Sequence, residues 1–452
     1  MSAAPLIIRP RWIAPVTAGS PVLAGQAVAV VDGRIAAIGP QEALRSLHPQ
    51  ATLVDRPDHL LIPGLVNAHS HAAMTLLRGA GDDMPLKAWL EQRIWPIEAA
   101  LVGEDFVYDG AVLGCREMLL AGITCFNDMY FFPQASARAA RDLGMKAVVG
   151  IVVFEFPSAY GTGPDDYLAK GLALRDSLRD DRSIRFALAP HAPYTVSDAS
   201  FERVATLAAE LQLPIHTHLH ETAHEIAESI ATHGVRPIER MRRLGVLGPD
   251  LIAVHAVHLD ADDIDALATA GASVAHCPHS NLKLASGFAP TPALLAAGVN
   301  IAFGTDGAAS NNRLDLLSEA RLAGLLAKGL SGDAACFDAH RLLYALTKGG
   351  ADALGIGDET GSIEIGKAAD LVALDLCSLD RHLSAEQIHD PVSTLIHSNG
   401  RESVTDVWVD GNHVVEARQF GAAMSRTAIT GVLGRSTLWH NRLGEFVPDR
   451  AS

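Results

Sequence analysis

Cysteine and positive charge are both scarce in this chain of 452 residues. Its five cysteines, an odd number scattered without any CxxC pair, indicate neither a disulfide framework nor a zinc ribbon and favour a reducing cytoplasm. Only 36 lysines and arginines stand against 52 aspartates and glutamates, which gives a net charge of -16. Because such a chain repels phosphate backbones and anionic membranes, we expect no nucleic-acid partner.

Long apolar runs are missing as well. No run reaches the roughly 18 residues needed to span a bilayer, and the N-terminus has no basic region followed by an apolar core. We therefore expect a cytoplasmic protein that is neither exported nor bound to a membrane. A content of 48% hydrophobic and 19% charged residues predicts a soluble enzyme with a large core, built from one catalytic domain and a smaller one.

Hairpin signals near both ends of the chain predict a β-domain made of two separated segments. Asp32-Gly33 and Asp410-Gly411 each lie between short β-type runs. Between them, β-type runs alternate with helical runs, as in a barrel. The predicted fold is α/β, a (β/α)8 TIM-like barrel with a second, smaller discontinuous β-sandwich domain. The predicted limits are 61–360 for the barrel, and 1–60 with 361–452 for the β-sandwich and the tail.

Eight apolar runs are candidates for the barrel strands, and the functional side chains cluster at their C-terminal ends, where barrel enzymes place their active sites. The first run ends at His71, and the others begin at Gly122, Met145, Ser183, Pro214, Leu251, Ser273 and Asn300.

The histidine pair His69 and His71, in LIPGLVNAHSH, is the first candidate metal site. Alternate residues of a strand share a face, so both imidazoles can bind one divalent metal. Such a pair is weak evidence among 20 histidines, but it follows a Pro-Gly turn, and further histidines end later apolar runs. One of His216, His218 and His220 is expected to join the site, although their spacing does not say which one.

Asp306 in FGTDGAASNN is the candidate carboxylate ligand. An aspartate in a TDG turn is usually only a turn former. Here it ends the eighth apolar run, where a carboxylate can complete a set of histidines around a zinc-like ion and leave a position open for water. A water activated in this way at neutral pH then needs only an oriented electrophile.

Several motifs in order resemble the amidohydrolase superfamily, and more narrowly the methylthioadenosine/S-adenosylhomocysteine deaminases. The broad resemblance rests on LIPGLVNAHSH, HLHE, VHAVHL and FGTDGAASN; the narrow one rests on HAAMTLLRG, WPIE, PHAPY and SNLKLASG. It extends over nearly the whole chain, including GSIEIGKAADLVALD in the flanking β-domain.

The resemblance implies a role for each candidate residue. It makes His69, His71, His218 and Asp306 the ligands of one divalent metal, zinc first, with iron or manganese as options. Glu221 becomes the general acid that protonates N1 of an adenine, His255 polarises the attacking water, and Asp306 takes a proton from it. Glu98 binds the ribose hydroxyls, His191 contacts the nucleoside, and Trp89 lines the mouth of the pocket. Without the resemblance, a solvated Glu98 and a core Trp89 would be the preferred interpretations.

The implied reaction is hydrolytic deamination of the adenine of 5'-methylthioadenosine, with S-adenosylhomocysteine as a further substrate and adenosine a weaker one. Relatives that favour S-adenosylhomocysteine carry arginines in and after the third strand. The stretch from Val148 to Tyr167 has none and contributes Asp165 and Asp166 instead, so methylthioadenosine is the expected better substrate. The alternatives are a hydrolase of another amino- or chloro-substituted ring, such as an s-triazine or guanine, and a non-catalytic barrel. We also expect a homo-oligomer, a dimer or tetramer.

Overall fold

The computed structural model describes residues 5–17, 19–377, 384–421 and 426–446. The chain divides into two compact units. One comprises residues 1–66, 118–125 and 315–424, and the other comprises residues 67–117, 126–314 and 425–452. The domain limits given above stay a prediction.

The strands, in chain order, are β1 (Leu6–Ile13), β2 (Leu23–Ala24), β3 (Ala27–Val31), β4 (Arg34–Gly39), β5 (Thr52–Pro63), β6 (Leu65–His71), β7 (Ile123–Asp128), β8 (Lys146–Val153), β9 (Ile184–Pro190), β10 (Ile215–Leu219), β11 (Leu251–His255), β12 (Ser273–His276), β13 (Asn300–Phe303), β14 (Asp306–Gly307), β15 (Leu371–Asp375), β16 (Val404–Val409), β17 (Asn412–Glu416) and β18 (Gln419–Phe420).

The α-helices are α1 (Gln41–Leu47), α2 (Leu86–Trp89), α3 (Trp95–Leu101), α4 (Glu104–Leu120), α5 (Pro133–Asp142), α6 (Pro164–Ser177), α7 (Asp198–Leu211), α8 (Ala223–His233), α9 (Pro237–Arg243), α10 (Ala261–Ala270), α11 (Pro278–Lys283), α12 (Thr291–Ala296), α13 (Leu316–Ser331), α14 (Ala339–Leu346), α15 (Lys348–Ala353), α16 (Pro391–Ser398) and α17 (Arg426–Gly444). Short 3-10 helices cover Ala72–Leu77, Ala385–Gln387 and Arg401–Ser403, and a π-helical turn covers Leu90–Ile94.

Strands β6 to β14 form a barrel. Their order is β13-β12-β11-β10-β9-β8-β7-β6-β14. The eighth apolar run supplies both ends of this order, because β13 pairs with β12 while β14, two residues later, pairs in parallel with β6. The sheet therefore closes on itself, and the predicted (β/α)8 barrel is confirmed. Buried apolar side chains fill these strands, since both faces of a closed parallel sheet are covered.

The other sheet is assembled from the two ends of the chain, as predicted. Its order is β18-β17-β16-β15-β5-β1-β3-β4, with β2 paired to β1. Asp32-Gly33 joins β3 to β4 and Asp410-Gly411 joins β16 to β17, and all four turn residues have positive φ, as tight hairpins require. A core containing Ile8, Leu371 and the fully buried Trp408 supports this sheet. Among the described residues, no helix has both the length and the apolar character to cross a membrane.

Candidate active site

The histidine pair on β6 faces Asp306 on β14, because the two strands lie side by side. Asp306 pairs with Ser70 in the strand register. Asp306 Oδ1 lies 3.4 Å from His69 Nε2 and 3.2 Å from His71 Nε2. The other ring nitrogens are held from behind: His69 Nδ1 lies 2.9 Å from His216 Nε2, and His71 Nδ1 donates to the Met129 carbonyl at 2.5 Å. Both Nε2 atoms are thereby aimed at one point.

The three histidines of β10 and its C-terminal end separate into different environments. His216 is fully buried against His69. His220 leaves the strand with a φ of 57°, lies 3.1 Å from the His258 carbonyl through Nδ1, and accepts the Ile238 N–H through Nε2. His218 donates Nδ1–H to the His191 carbonyl at 2.7 Å, and its ring centroid lies 4.9 Å from that of His69. His218 is therefore the one of the three histidines that shares a candidate metal-binding group with His69.

The break between β13 and β14 brings Asp306 into place. A Cβ at Gly304 would lie only 2.7 Å from His69 Cβ, so the glycine permits the close approach of the two strands. Asp306 itself has a φ of 59°, in the left-handed region that costs free energy for a residue other than glycine. Ser280 donates its hydroxyl to Asp306 Oδ2 at 2.6 Å.

This cluster fits a divalent metal ion. His69, His71 and Asp306 offer ligand atoms within 4.8 Å of one another, and so do His69, His218 and His255. His69 Nε2 is buried and has no hydrogen-bond partner in the described part of the chain. Burial lowers the pKa of His69 to about 3, so its imidazole is neutral, as a ligand must be. Burial opposes protonation of His71 too, but the Asp306 carboxylate raises the pKa of His71 to about 9, so metal binding there releases a proton.

A carboxyl group and an imidazole lie beside the cluster. His255 Nε2 is 3.7 Å from Glu221 Oε2, and His255 Nδ1 lies 2.8 Å from Asn281 Oδ1, which fixes the ring orientation. Burial raises the pKa of the Glu221 carboxyl group above its ordinary value, so it holds its proton at a higher pH. The backbone N–H groups of His220 and Glu221 each donate to the Glu225 carboxylate at 2.8 Å. The backbone at Glu221 is therefore held by a second buried acidic side chain, that of Glu225.

One cavity of about 420 Å3 is lined by His71, His218, Glu221, His255 and Asp306. Glu98 and His191, predicted to contact the substrate, both line it, as does Trp89, which is buried and serves as a core residue as well. Tyr130 donates its hydroxyl to Glu98 Oε1 at 2.7 Å, and burial raises the pKa of Glu98 to about 7. Burial lowers the pKa of His191 to about 3, so this imidazole is neutral.

Aromatic rings continue the cavity wall away from the cluster. The His191 ring stacks on Phe154 with centroids 4.7 Å apart, Phe154 lies 4.9 Å from Phe156, and Phe156 lies 6.4 Å from Trp95. Phe156 is 37% exposed, so this row ends at solvent. One end of the cavity is thus polar and the other end is apolar.

No lysine or arginine is among the described residues that line the cavity; its carboxyl groups are those of Glu98, Glu221 and Asp306. Asp165 and Asp166, the acidic residues noted in the sequence, are not among the residues that line the cavity. Asp165 forms an ion pair with Arg203, and Asp166 pairs with Lys170 at 2.8 Å.

Sequence reasoning missed two functional partners. Tyr130 follows the end of β7 by two residues, a position at the C-terminal face that could have identified it. Ser280 lies in the quoted SNLKLASG motif, but nothing in that motif indicates that its hydroxyl binds Asp306.

Comparison with known proteins places this site in a family. A family model described as the amidohydrolase family matches residues 60–414. The chain belongs to the amidohydrolase family. The resemblance seen in the motifs is confirmed, and a second model, an imidazolonepropionase-like composite domain of bacteria, matches residues 27–51.

Individual relatives of this amidohydrolase narrow the comparison. It is 45% identical over 433 residues to a protein of Teredinibacter turnerae named 5-methylthioadenosine/S-adenosylhomocysteine deaminase, with 96% of each chain covered. A solved adenosine deaminase from Xanthomonas campestris with bound zinc has a TM-score of 0.92 and 46% identity, covering 97% of this chain and 98% of that one. Atrazine chlorohydrolase TrzN from Arthrobacter aurescens, complexed with zinc, has a TM-score of 0.87 and 25% identity over 96% of this chain and 99% of its own. Zinc in both structures supports a divalent metal at the histidine cluster.

Proposed function

We propose that this amidohydrolase is a hydrolytic deaminase that converts the adenine of 5'-methylthioadenosine, S-adenosylhomocysteine and, more weakly, adenosine to hypoxanthine with release of ammonia. The observation that carries the proposal is one cavity with a metal-binding cluster and an acid at its polar end and uncharged aromatic rings at its other end. The relatives named as methylthioadenosine/S-adenosylhomocysteine deaminases, similar over nearly their full length, support the same substrate class.

The proposed cofactor is a single zinc ion held by His69, His71, His218 and Asp306, with iron or manganese as options. When bound, the ion supplies a polarised water that can add to an electron-poor ring carbon. The chain's own part is to fix the ligands: His216, the Met129 carbonyl and the His191 carbonyl each hold the rear nitrogen of one ligand histidine.

Proton transfer is assigned to three side chains. Asp306, whose pKa lies well below its ordinary value despite its burial because His69 and His71 face it, is an acceptor for a proton of the attacking water. Glu221, whose pKa burial raises, donates a proton to N1 of the ring and so makes C6 more electrophilic. His255, oriented by Asn281, hydrogen-bonds the attacking water. The proton accepted by Asp306 passes to the amino group, which leaves as ammonia, and the proton released as the C6 carbonyl forms restores Glu221.

The ribose is assigned to Glu98 and His191. Tyr130 occupies Glu98 Oε1, so Oε2 is left to accept hydroxyl groups of the sugar. His191 Nδ1 lies 2.9 Å from Thr195 Oγ1, and the Thr195 hydroxyl donates to the Ala192 carbonyl, so Nδ1 carries the proton and Nε2 is an acceptor.

The substituent at the 5' position is assigned to the aromatic end of the cavity. Phe154, Phe156 and Trp95 suit a methylthio group, which gains from burial against apolar rings. The amino acid tail of S-adenosylhomocysteine finds no lysine or arginine among the residues that line the cavity. Methylthioadenosine is therefore the proposed better substrate. Triazine and guanine hydrolysis are not favoured, because neither ring carries a ribose for Glu98.

The test is ammonia release from methylthioadenosine, S-adenosylhomocysteine and adenosine by purified protein loaded with zinc. Glu221→Gln should abolish turnover while leaving the zinc content unchanged. Glu228→Gln is the matched control, since this exposed glutamate on the following helix undergoes the same chemical change away from the cavity. No turnover of any of the three nucleosides by zinc-loaded protein would refute the proposal.

A further inference from the structure

The C-terminal helix α17 begins after the last residue matched by the family model, residue 414, yet it is anchored by buried polar contacts. Asp109 on α4 is fully buried and receives two bonds from Arg435, at 2.8 Å from Nε and 2.5 Å from Nη2. Trp439 adds its indole N–H at 2.9 Å. A buried carboxylate satisfied by three donors on one helix fixes the position of that helix.

The inner face of α17 lies in the apolar cluster that also contains side chains from residues 86–101 of the cavity wall. Trp439 and Leu443 are buried in the apolar cluster that also contains Trp89, Ile94 and Ile97. The Trp439 ring meets Phe106 edge to face at 5.3 Å. The opposite face of α17 is solvated: Leu433 and Leu438 are 49% and 54% exposed.

A second contact joins Phe446, two residues beyond the end of α17, to Arg93 in the cavity wall. Arg93 Nη1 donates to the Phe446 carbonyl at 3.1 Å. Arg93 lies in the π-helical turn Leu90–Ile94, in which the Trp95 N–H bonds to the Leu90 carbonyl. That turn joins α2, which contains Trp89, to α3, which contains Glu98.

The wall segment, residues 86–101, needs outside support. Its helices have four and seven residues, well below the roughly 12 at which an isolated helix becomes even marginally stable, and a π-turn separates them. Its geometry must therefore come from the packing around it, and α17 supplies part of that packing.

We infer that α17 positions the substrate-binding wall, with Arg435 and Trp439 as positioning residues that hold Glu98 and Trp89 in place without touching the substrate. The inference rests on the proposed function only where it assigns Glu98 to the ribose. The apolar cluster that α17 shares with residues 86–101 and the bond from Arg93 to Phe446 are independent of that assignment.

The test compares two double variants of the full-length, zinc-loaded protein. Arg435→Ala/Trp439→Ala removes the anchored face, and Leu433→Ala/Leu438→Ala trims the solvated face of the same helix. The first should raise KM for methylthioadenosine about tenfold, with kcat and zinc content little changed, and should speed amide hydrogen exchange in residues 86–101 but not in α7. The second should behave as the unchanged protein does.

Unchanged exchange in residues 86–101, or an unchanged KM, in the Arg435→Ala/Trp439→Ala variant would overturn the inference. If that variant does not accumulate as folded protein, the same two measurements are made on Trp439→Phe, which removes the indole N–H donor but keeps an aromatic ring, and on Arg93→Ala. A protein that does not deaminate nucleosides at all would refute the proposed function, and hydrogen exchange alone would then decide the role of α17.

Discussion

The sharpest prediction concerns the charge of the 5' substituent. Methylthioadenosine and S-adenosylhomocysteine share the adenine and the ribose, so Glu221 and Glu98 meet the same groups in both. The tails differ: one is a methyl group, and the other ends in an ammonium and a carboxylate that meet Phe154, Phe156 and Trp95. No arginine or lysine lines the cavity in the part of the chain that the structure describes.

The expected preference for methylthioadenosine over S-adenosylhomocysteine follows because no lysine or arginine is among the described residues that line the cavity. An ionised group left without a partner in a partly desolvated site costs on the order of 2–3 kcal/mol, the upper part of the range for an unpaired polar group. The partial exposure of Phe156 lets water reach the tail and keeps the cost at this level. We therefore expect kcat/KM for methylthioadenosine to exceed that for S-adenosylhomocysteine by about 30- to 150-fold.

A substitution tests the cause of the preference. Phe156→Arg places a cation at the apolar end of the cavity and should narrow the ratio by raising kcat/KM for S-adenosylhomocysteine. Phe156→Leu, the control, keeps the position apolar and should leave the ratio nearly unchanged. The assay is the absorbance change from adenine to hypoxanthine, with ammonia measured independently. Comparable kcat/KM values for the two substrates in the unaltered enzyme would refute the reasoning.

Three other predictions follow from the same cavity. Glu221→Gln should lower kcat by about 10²- to 10⁴-fold at unchanged zinc content, as expected for loss of a general acid; elemental analysis together with steady-state kinetics checks this, and a variant with normal kcat would remove Glu221 from the mechanism. Because Glu98 has a pKa of about 7, it is ionised above that pH and protonated below it, so KM for ribonucleosides should rise as the pH falls below 7; Glu98→Gln should flatten this profile, and Tyr130→Phe should shift it. Removal of metal by a chelator should abolish activity and lower Tm, since a ligand that binds only the native state stabilises it. Zinc should restore both in the unaltered protein but not in His69→Ala. Activity that survives complete metal removal would contradict the metal site.

The sequence predicted the barrel because each strand is a distinct apolar run followed by a helical pattern. All eight candidate runs contain strands of the barrel sheet, including the run at His71 and the run at Asn300. What it could not predict is the break between Phe303 and Asp306, since closure of the barrel through two short pieces depends on the partner strands rather than on local propensity.

Some residues of the candidate site could also be predicted from the sequence, whereas others could not. Position at the C-terminal end of a strand was enough to single out His69, His71 and Asp306 as candidates. Spacing alone did not choose among the three histidines of β10, because that choice depends on what each ring meets in the fold, and only the family resemblance pointed to His218. Tyr130 was missed because its role is a contact with Glu98 from another element. Contacts between distant segments leave no periodic trace in a sequence.

Two consecutive residues, Met129 and Tyr130, support the candidate metal site and the proposed ribose-binding residue. The Met129 carbonyl holds the ring of His71, and the Tyr130 hydroxyl holds Glu98. One peptide unit of fixed length therefore joins the residue that supports the candidate metal ligand His71 to the residue that supports the proposed ribose-binding Glu98. Phe154 and Phe156, at the aromatic end of the cavity, belong to the separate loop after β8. An evolving descendant of this enzyme can thus exchange one 5' tail for another by altering that loop, while its chemistry and its requirement for a nucleoside are inherited together.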